Sequence, residues 1–226
     1  TIITVYFAGY FQKKVVPEEG FEIFGRFWAG ETLWNFSVAI SMGLICLSAP
    51  FIGSITDYTA AKKRLLKMYW MVGCLATAFL YGISPGMVIP AMTLFIIANM
   101  GFAGGNALYN AFLTELSPSE KMGRVSAFGW ALGYVGGGLC LLLNVWMVGR
   151  WGAQALGGCF LTVASWWVGF ALPLMFVVRE RAIPKSLPAG KSYLSAGFMD
   201  VFRTLRNIRK HKDLFKFLLA YLLFNE

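Results

Sequence analysis

The sequence predicts an all-α, polytopic membrane helix bundle, and three observations predict it. Of its 226 residues 58% are hydrophobic and only 14% are charged, and the mean hydropathy is +0.62, beyond what a soluble core of this size requires. The apolar residues come in blocks longer than core helices or barrel strands, and the charges are gathered into the joints between those blocks. A backbone in lipid must satisfy its own hydrogen bonds, so helices are the economical solution.

The chain starts inside an apolar run, residues 1–11, too short to cross a hydrocarbon core of ~30 Å at ~1.5 Å per residue. It has neither the basic leader nor the small-residue cleavage site of a signal peptide, and reads as the outer end of a cut first helix. Full spans are expected at 33–56, 65–83, 87–113, 125–148 and 156–178, each an apolar block between charges, with another starting near Leu214. Ser84-Pro85-Gly86, Ser117-Pro118-Ser119 and Trp151-Gly152 punctuate the joints with turn formers. The expected organisation is a transmembrane bundle over 1–178 with its first helix truncated, a central cytoplasmic loop over 179–213, and the start of a further span over 214–226. The run from Phe215 to Glu226 breaks off in an apolar segment, so the sequence is expected to be a fragment whose missing carboxy-terminal half is its first partner.

Alternate joints face opposite sides, and counting cations by side fixes the orientation. Sixteen Lys and Arg, from Lys62 through Lys216, fall on one side and four, Lys13, Lys14, Arg26 and Arg150, on the other. That asymmetry places the joint 53-GSITDYTAAKKR-64 in the cytoplasm. The net charge of +9 is therefore an orientation device facing membrane lipid, and nucleic acid is not an expected partner. Cys46, Cys74, Cys140 and Cys159 each lie in a span without C-x-x-C spacing or a companion histidine, so no metal, disulfide framework or cofactor is expected. His211, the single histidine, sits in a Lys/Arg run and reads as a solvated loop residue.

The loop over 179–213 carries Pro184, Pro188 and Gly190, then Leu194, Phe198, Val201, Phe202, Leu205 and Ile208 at helical spacing with Arg203, Arg206, Arg209 and Lys210 on other faces. This is the pattern of an amphipathic helix lying on the inner membrane surface, or of one packed on the protein's own underside.

In the opening joint, Asp57 ends one span and Lys62, Lys63 and Arg64 start the next, the arrangement of an inner latch in which a carboxylate meets a cation or a helix N-terminus. Glu115, with Lys121 and Arg124 in the following joint, is a second candidate for that latch. Asn99, Asn106 and Asn110 recur at i, i+7 and i+11 on the fourth span, flanked by Tyr109. Amides in hydrocarbon are costly unless paired or wetted, so this stripe should look into the protein, either to bind a solute or to join helices. Trp130 and Tyr134 lie on one face of the fifth span, beside a stripe formed by Gly129, Gly133, Gly137 and Gly138 that suits close helix packing. Ser37, Ser41 and Ser48 could each bond their own backbone, which explains them sufficiently. No H-E-x-x-H, G-x-S-x-G or paired intramembrane acids occur, so an enzyme is not expected.

Gly53-x-x-x-Asp57 followed by Lys62-Lys63-Arg64 resembles the signature loop of the major facilitator superfamily, although Ala60 and Ala61 stand where that loop has a glycine and a closer basic pair. The string 129-GWALGYVGGG-138 resembles its antiporter-type motif, with Tyr134 in place of the usual Pro. Together with 106-NALYNAFLTELSPSEKMGRVSAFGWALGYVGGG-138 and 217-FLLAYLLFNE-226, the chain resembles the vacuole-effluxer-like family of autophagy-related amino-acid exporters. The resemblance implies the amino-terminal six-helix half of a major facilitator fold plus the start of the seventh helix. It further implies a secondary transporter of small solutes, amino acids first and drugs or other solutes as the alternative, working by alternating access about a midplane site. Gating would fall to Gly53, Asp57, Lys62, Lys63, Arg64, Glu115 and Arg124, and solute contact to Asn99, Asn106, Tyr109, Asn110, Trp130 and Tyr134. A non-transporting scaffold or receptor is the reading from a different class. A prokaryotic plasma membrane is the expected location because the spans are compact and the joints short, with a vacuolar membrane second.

Overall fold

The computed structural model describes residues 7–180, 184–187, 192–207 and 212–224. Residues 1–6 of the expected first remnant, and the expectations attached to Arg181, Pro188, Gly190, Lys191, Ile208, Arg209, Lys210 and His211, lie outside the described residues. The chain divides into two compact units, Thr1–Ile45 with Lys62–Ala182, and Cys46–Ala61 with Ile183–Glu226.

In the first unit, α1 covers residues 7–15 and ends in a π turn over Phe11–Val15, where the Val16 N–H reaches back to the Phe11 carbonyl at 2.9 Å. A hairpin follows, β1 (Phe21–Ile23) against β2 (Arg26–Trp28), antiparallel with Phe21 opposite Trp28. Its two-residue turn places Phe24 at φ 53° and Gly25 at φ 74°, the left-handed pair that matches strand twist and that glycine accepts more easily than phenylalanine. No strand was expected between residues 12 and 32, because three-residue strands leave too little alternation to register.

The helices are α2 (Gly30–Thr59), α3 (Lys62–Phe79), α4 (Val88–Leu116), α5 (Ser119–Trp151) and α6 (Ala155–Phe176). Every expected full span falls on one of them, α3 being completed by a 3-10 turn over Leu80–Gly82. Helix bounds run past the apolar blocks at several ends, since backbone hydrogen bonding continues into the charged turns. By length and composition four stretches can cross a membrane among the described residues, against the five full spans expected: Gly30–Thr59, Lys62–Gly82, Val88–Leu116 and Ser119–Phe176. The fourth contains both α5 and α6. Gly152, at φ 65°, ends α5, and α6 folds back so that the Thr162 hydroxyl meets Met147 Sδ at 3.5 Å.

Phe7 centres an aromatic core. Its ring lies 5.8 Å from Phe11, 5.9 Å from Trp34, 5.9 Å from Phe95 and 5.5 Å from Phe160, joining α1, α2, α4 and α6. The Tyr10 hydroxyl donates to the Ile83 carbonyl at 2.8 Å, and the Gly86 N–H to the Val15 carbonyl at 2.8 Å, so α1 is also pinned to the α3–α4 joint.

Among the described residues of the first unit, the closest helix approach at a glycine is between α3 and α4. A Cβ on Gly101 would stand 2.5 Å from the Gly73 Cα and 2.9 Å from the Tyr69 carbonyl oxygen, and one on Gly104 would stand 2.5 Å from the Tyr69 ring. The glycine stripe of α5, by contrast, is open. Nothing lies within 4 Å of where a Cβ would sit on Gly133, Gly137 or Gly138, and at Gly129 the nearest atom is the Tyr109 hydroxyl at 3.8 Å. Small residues permit a close approach without compelling one, and among the described residues of the first unit such an approach occurs at Gly73, Gly101 and Gly104.

The second unit holds the inner half of α2, residues 184–187, α7 (Tyr193–Asn207) and α8 (Lys212–Phe224). Ala60, just past α2, sits at φ 46°, where a Cβ is unfavourable by roughly 1–2 kcal/mol. This is the region in which the major facilitator loop carries glycine.

Gly101→Ala should lower thermal stability by about 1–3 kcal/mol, because backbone atoms that cannot rotate away occupy the space a methyl group needs. Gly133→Ala should be neutral or mildly stabilising. Melting of the two detergent-solubilised variants by size-exclusion chromatography checks the contrast, and equal losses would mean that the helices can separate at Gly101.

Candidate functional site

The start of α3 is built from charges of three segments. Its first two N–H groups, on Lys62 and Lys63, have no partner inside the helix, and Glu180 takes both, Oε1 from Lys62 at 2.9 Å and Oε2 from Lys63 at 3.1 Å. A carboxylate there also meets the positive end of the helix dipole. The Lys62 ammonium pairs with Glu115 of α4 and lies 5.4 Å from the centre of the Phe112 ring, while the Lys63 ammonium donates to the Val178 carbonyl. The side chains of Lys62 and Glu115 are each only 12% exposed, so each charge depends on the other. Arg64 is exposed.

Asp57 belongs to the second unit and has a different partner. Its carboxylate accepts from the Lys185 ammonium at 2.7 Å, and its backbone carbonyl from the Lys185 N–H at 2.8 Å. Within the second unit, the carboxylate expected to latch onto Lys62-Lys63-Arg64 thus has Lys185 as its partner. The α3 cations and N–H groups are met by Glu115, Glu180 and Val178, and a backbone pairing brings Lys185 to Asp57. Glu115, the second candidate for that latch, pairs with Lys62. Lys121 and Arg124 line a shallow surface groove on α5 with Val125 and Phe128. Gly53 is exposed, with nothing close to its Cβ position, and its carbonyl accepts from the Thr56 hydroxyl at 2.8 Å.

The amide stripe of α4 divides in two. Asn99 donates to the Ser41 hydroxyl at 2.7 Å, an interhelical bond between α4 and α2, and Ser41 passes its own proton to the Val38 carbonyl at 2.7 Å. Asn106 and Asn110 are exposed, and so is Tyr109, whose hydroxyl lies beside Gly129 of α5. Next to Gly129, Trp130 and Tyr134 are 59% and 76% exposed, with ring centres 6.2 Å apart. Exposed amides and a phenol of α4 thus reach α5 through Tyr109, close to its exposed Trp130 and Tyr134.

Glu180, Lys185 and the Ser41–Asn99 pairing were not foreseen. Glu180 had a legible signal, a lone acid between Arg179 and Arg181 at the end of a span, which is where a neighbouring helix N-terminus needs an anion. Another polar element is buried deeper. Asn144 is fully buried between α5 and α6 and donates to the Cys140 carbonyl at 2.7 Å.

The model of the vacuole effluxer Atg22-like family matches residues 17–226. The chain belongs to the vacuole effluxer Atg22-like family. The matched range takes in both the charged start of α3 and the polar faces of α4 and α5. Among relatives in this family, the "Uncharacterized MFS-type transporter YxiO" of Bacillus subtilis (strain 168) is 28% identical over 195 residues, covering 83% of this chain and 45% of the relative. "Autophagy-related protein 22" of Saccharomyces cerevisiae is 22% identical over 234 residues, covering 86% and 44%, and its Kluyveromyces lactis namesake is 23% identical over 216 residues, covering 86% and 44%. The chain spans less than half the length of these curated relatives. No solved structure matches. Apolar helices of spanning length and transporter relatives together identify an integral membrane protein.

Glu115→Gln should destabilise the bundle by on the order of 3 kcal/mol, because the Lys62 charge is left nearly buried without its partner. The double variant Lys62→Met/Glu115→Gln should lose less than that single one in the same melting assay. Equal or greater loss in the double variant would mean that the contact is shape rather than charge.

Lys185 titrates above its ordinary 10.5, first because it hydrogen-bonds the Asp57 carboxylate and second through that group's charge. A lysine pKa raised on folding gives stability fully present below the unfolded value and lost as pH rises through the folded one. The difference in stability between wild type and Lys185→Met should therefore be the same at about pH 7 and about pH 9, and shrink above about pH 10.5. The two side chains are 67% and 50% exposed, so added salt should also reduce the difference. Melting curves across pH and salt measure both dependences.

Proposed function

We propose that this chain is the amino-terminal bundle of a secondary membrane transporter that moves small solutes, amino acids foremost, by alternating access. Membership of the Atg22-like family supports the class. The observation that carries the site is the polar, aromatic side formed by Asn106, Tyr109 and Asn110 of α4 with Trp130 and Tyr134 of α5. Exposed amides on a membrane-length helix need water, protein or solute, since acyl chains offer no hydrogen bond. A wet path along this side supplies that need, with the amides holding polar groups of the solute and the aromatic rings walling it. Asn99 serves this reading as a strut, fixing α4 to α2 next to the path.

The inner face supplies gating in the same reading. Lys62–Glu115 and the Glu180 cap hold α3, α4 and the end of α6 together, and Asp57–Lys185 ties the central loop to the end of α2. Asn106, Tyr109, Asn110, Trp130 and Tyr134 include no carboxylate, so these residues give the solute no counter-ion. This is a carrier and not an enzyme. The plasma membrane of a prokaryote is the proposed location, with the Bacillus relative in support and a vacuolar membrane as the second choice.

Full-length protein in liposomes should carry amino acids down an imposed gradient. Asn106→Ala or Asn110→Ala should each cut flux by up to about tenfold, one lost hydrogen bond to solute apiece, while melting temperature stays near wild type. No flux of any amino acid by wild type would remove the cargo, and unchanged flux in both variants would remove the site.

A further inference from the structure

Helix α7 has two chemically distinct sides. On one, Ala196 is 1% exposed, and a Cβ on Gly197 would fall 2.2 Å from the Pro50 carbonyl oxygen and 3.0 Å from the Ser54 Cβ of α2. One turn later, Asp200 accepts from the Tyr58 hydroxyl at 3.2 Å. Pro50, Ser54 and Tyr58 are spaced by four residues, so this side of α7 runs along the inner end of α2 and is fixed to it by a contact only glycine permits. The other side is bare. Phe198, Val201 and Phe202 are 47%, 40% and 77% exposed, and Arg203 and Arg206 stand exposed on the flank between the two sides.

Two constraints select the occupant of the bare side. The first is depth. At ~1.5 Å per residue α2 is ~45 Å long, against a hydrocarbon core of ~30 Å, so about ten residues extend beyond it; counted from Leu33, where the expected span starts, about seven of them fall at the inner end, the end the cations follow. α7 lies along that projecting end, at the level of the headgroups. The second is charge. Arg203 is 3.8 Å from Asp200, Arg206 has no ion pair among the described residues, and the sequence adds Arg209, Lys210 and Lys212 directly after. Large apolar side chains bordered by two exposed arginines, Arg203 in a solvent-open pair with Asp200 and Arg206 with no ion pair among the described residues, match an interface whose outer layer is anionic and whose inner layer is hydrocarbon.

We propose that α7 is a contact site for anionic phospholipid, with Phe198 and Phe202 inserted at the boundary of the acyl chains and Arg203 and Arg206 on lipid phosphates. Because α7 is fixed to α2 by Gly197 and by the Asp200–Tyr58 hydrogen bond, lipid held on one side braces the helix end that carries Asp57. The site needs no transported solute, and its test is separate from the flux assay.

The test uses the full-length protein freed of its other cysteines. A nitroxide at Phe202→Cys in nanodiscs should collide with oxygen and be shielded from a water-soluble nickel chelate. Contact with the chelate would mean a solvated helix, and shielding from both would mean burial against protein; either overturns the proposal. In detergent, phosphatidylglycerol should raise the melting temperature more than phosphatidylcholine. The concentration giving half of that effect should rise about fivefold for each arginine replaced in Arg203→Gln and Arg206→Gln. Equal effects of the two lipids, or an unchanged half-effect concentration in the double variant, also overturns it.

Discussion

A polypeptide in hydrocarbon has no solvent to which it can surrender an unpaired polar group, and the arrangement of this chain follows from that constraint. The backbone satisfies itself in long helices, and side-chain hydroxyls along them bond back to it, as Ser37 does to the Leu33 carbonyl and Thr77 to the Gly73 carbonyl. What cannot be satisfied locally is sent to one of three places. Asn99 finds Ser41 across a helix pair, the charges gather at the inner ends, and Asn106 and Asn110 are left exposed on α4. The candidate site is the remainder of this accounting, polar groups for which helix and bundle provide no use of their own.

The inner ends show why sequence proximity is a poor guide to electrostatic pairing. Asp57 and Lys62 are neighbours in the chain, yet Lys62 pairs with Glu115 and Asp57 with Lys185, both far away in sequence. The two pairs also differ in kind. Lys62–Glu115 is nearly dry, where losing one partner strands the other, whereas Asp57–Lys185 is open to water and screened. The first suits a permanent joint among α3, α4 and the end of α6, and the second suits a contact that forms and breaks easily.

The spans were legible because a hydrocarbon core imposes a length and a polarity that a single sequence cannot hide, and the expected spans all fall on helices. The hairpin of β1 and β2 was not legible, since strands of three residues carry almost no periodicity and the turn depends on Phe24 taking a conformation it disfavours. Of the polar stripe, residue type and spacing announced that Asn99, Asn106 and Asn110 share a face of α4, but only packing separates the strut from the two exposed amides. The glycines of α5 drew notice by their number, while the close approach of α3 to α4 uses Gly73, Gly101 and Gly104, scattered over two helices and complementary only in three dimensions.

That crossing has a mechanical corollary. Where the backbones meet at Gly73 and Gly101 there is no side-chain layer to shear, and one turn on the Tyr69 ring is seated against Gly104, so sliding one rod along the other would drive tightly packed atoms together. α3 and α4 are in effect a single plank, and whatever swings the exposed amides of one must carry the cationic foot of the other through the same arc.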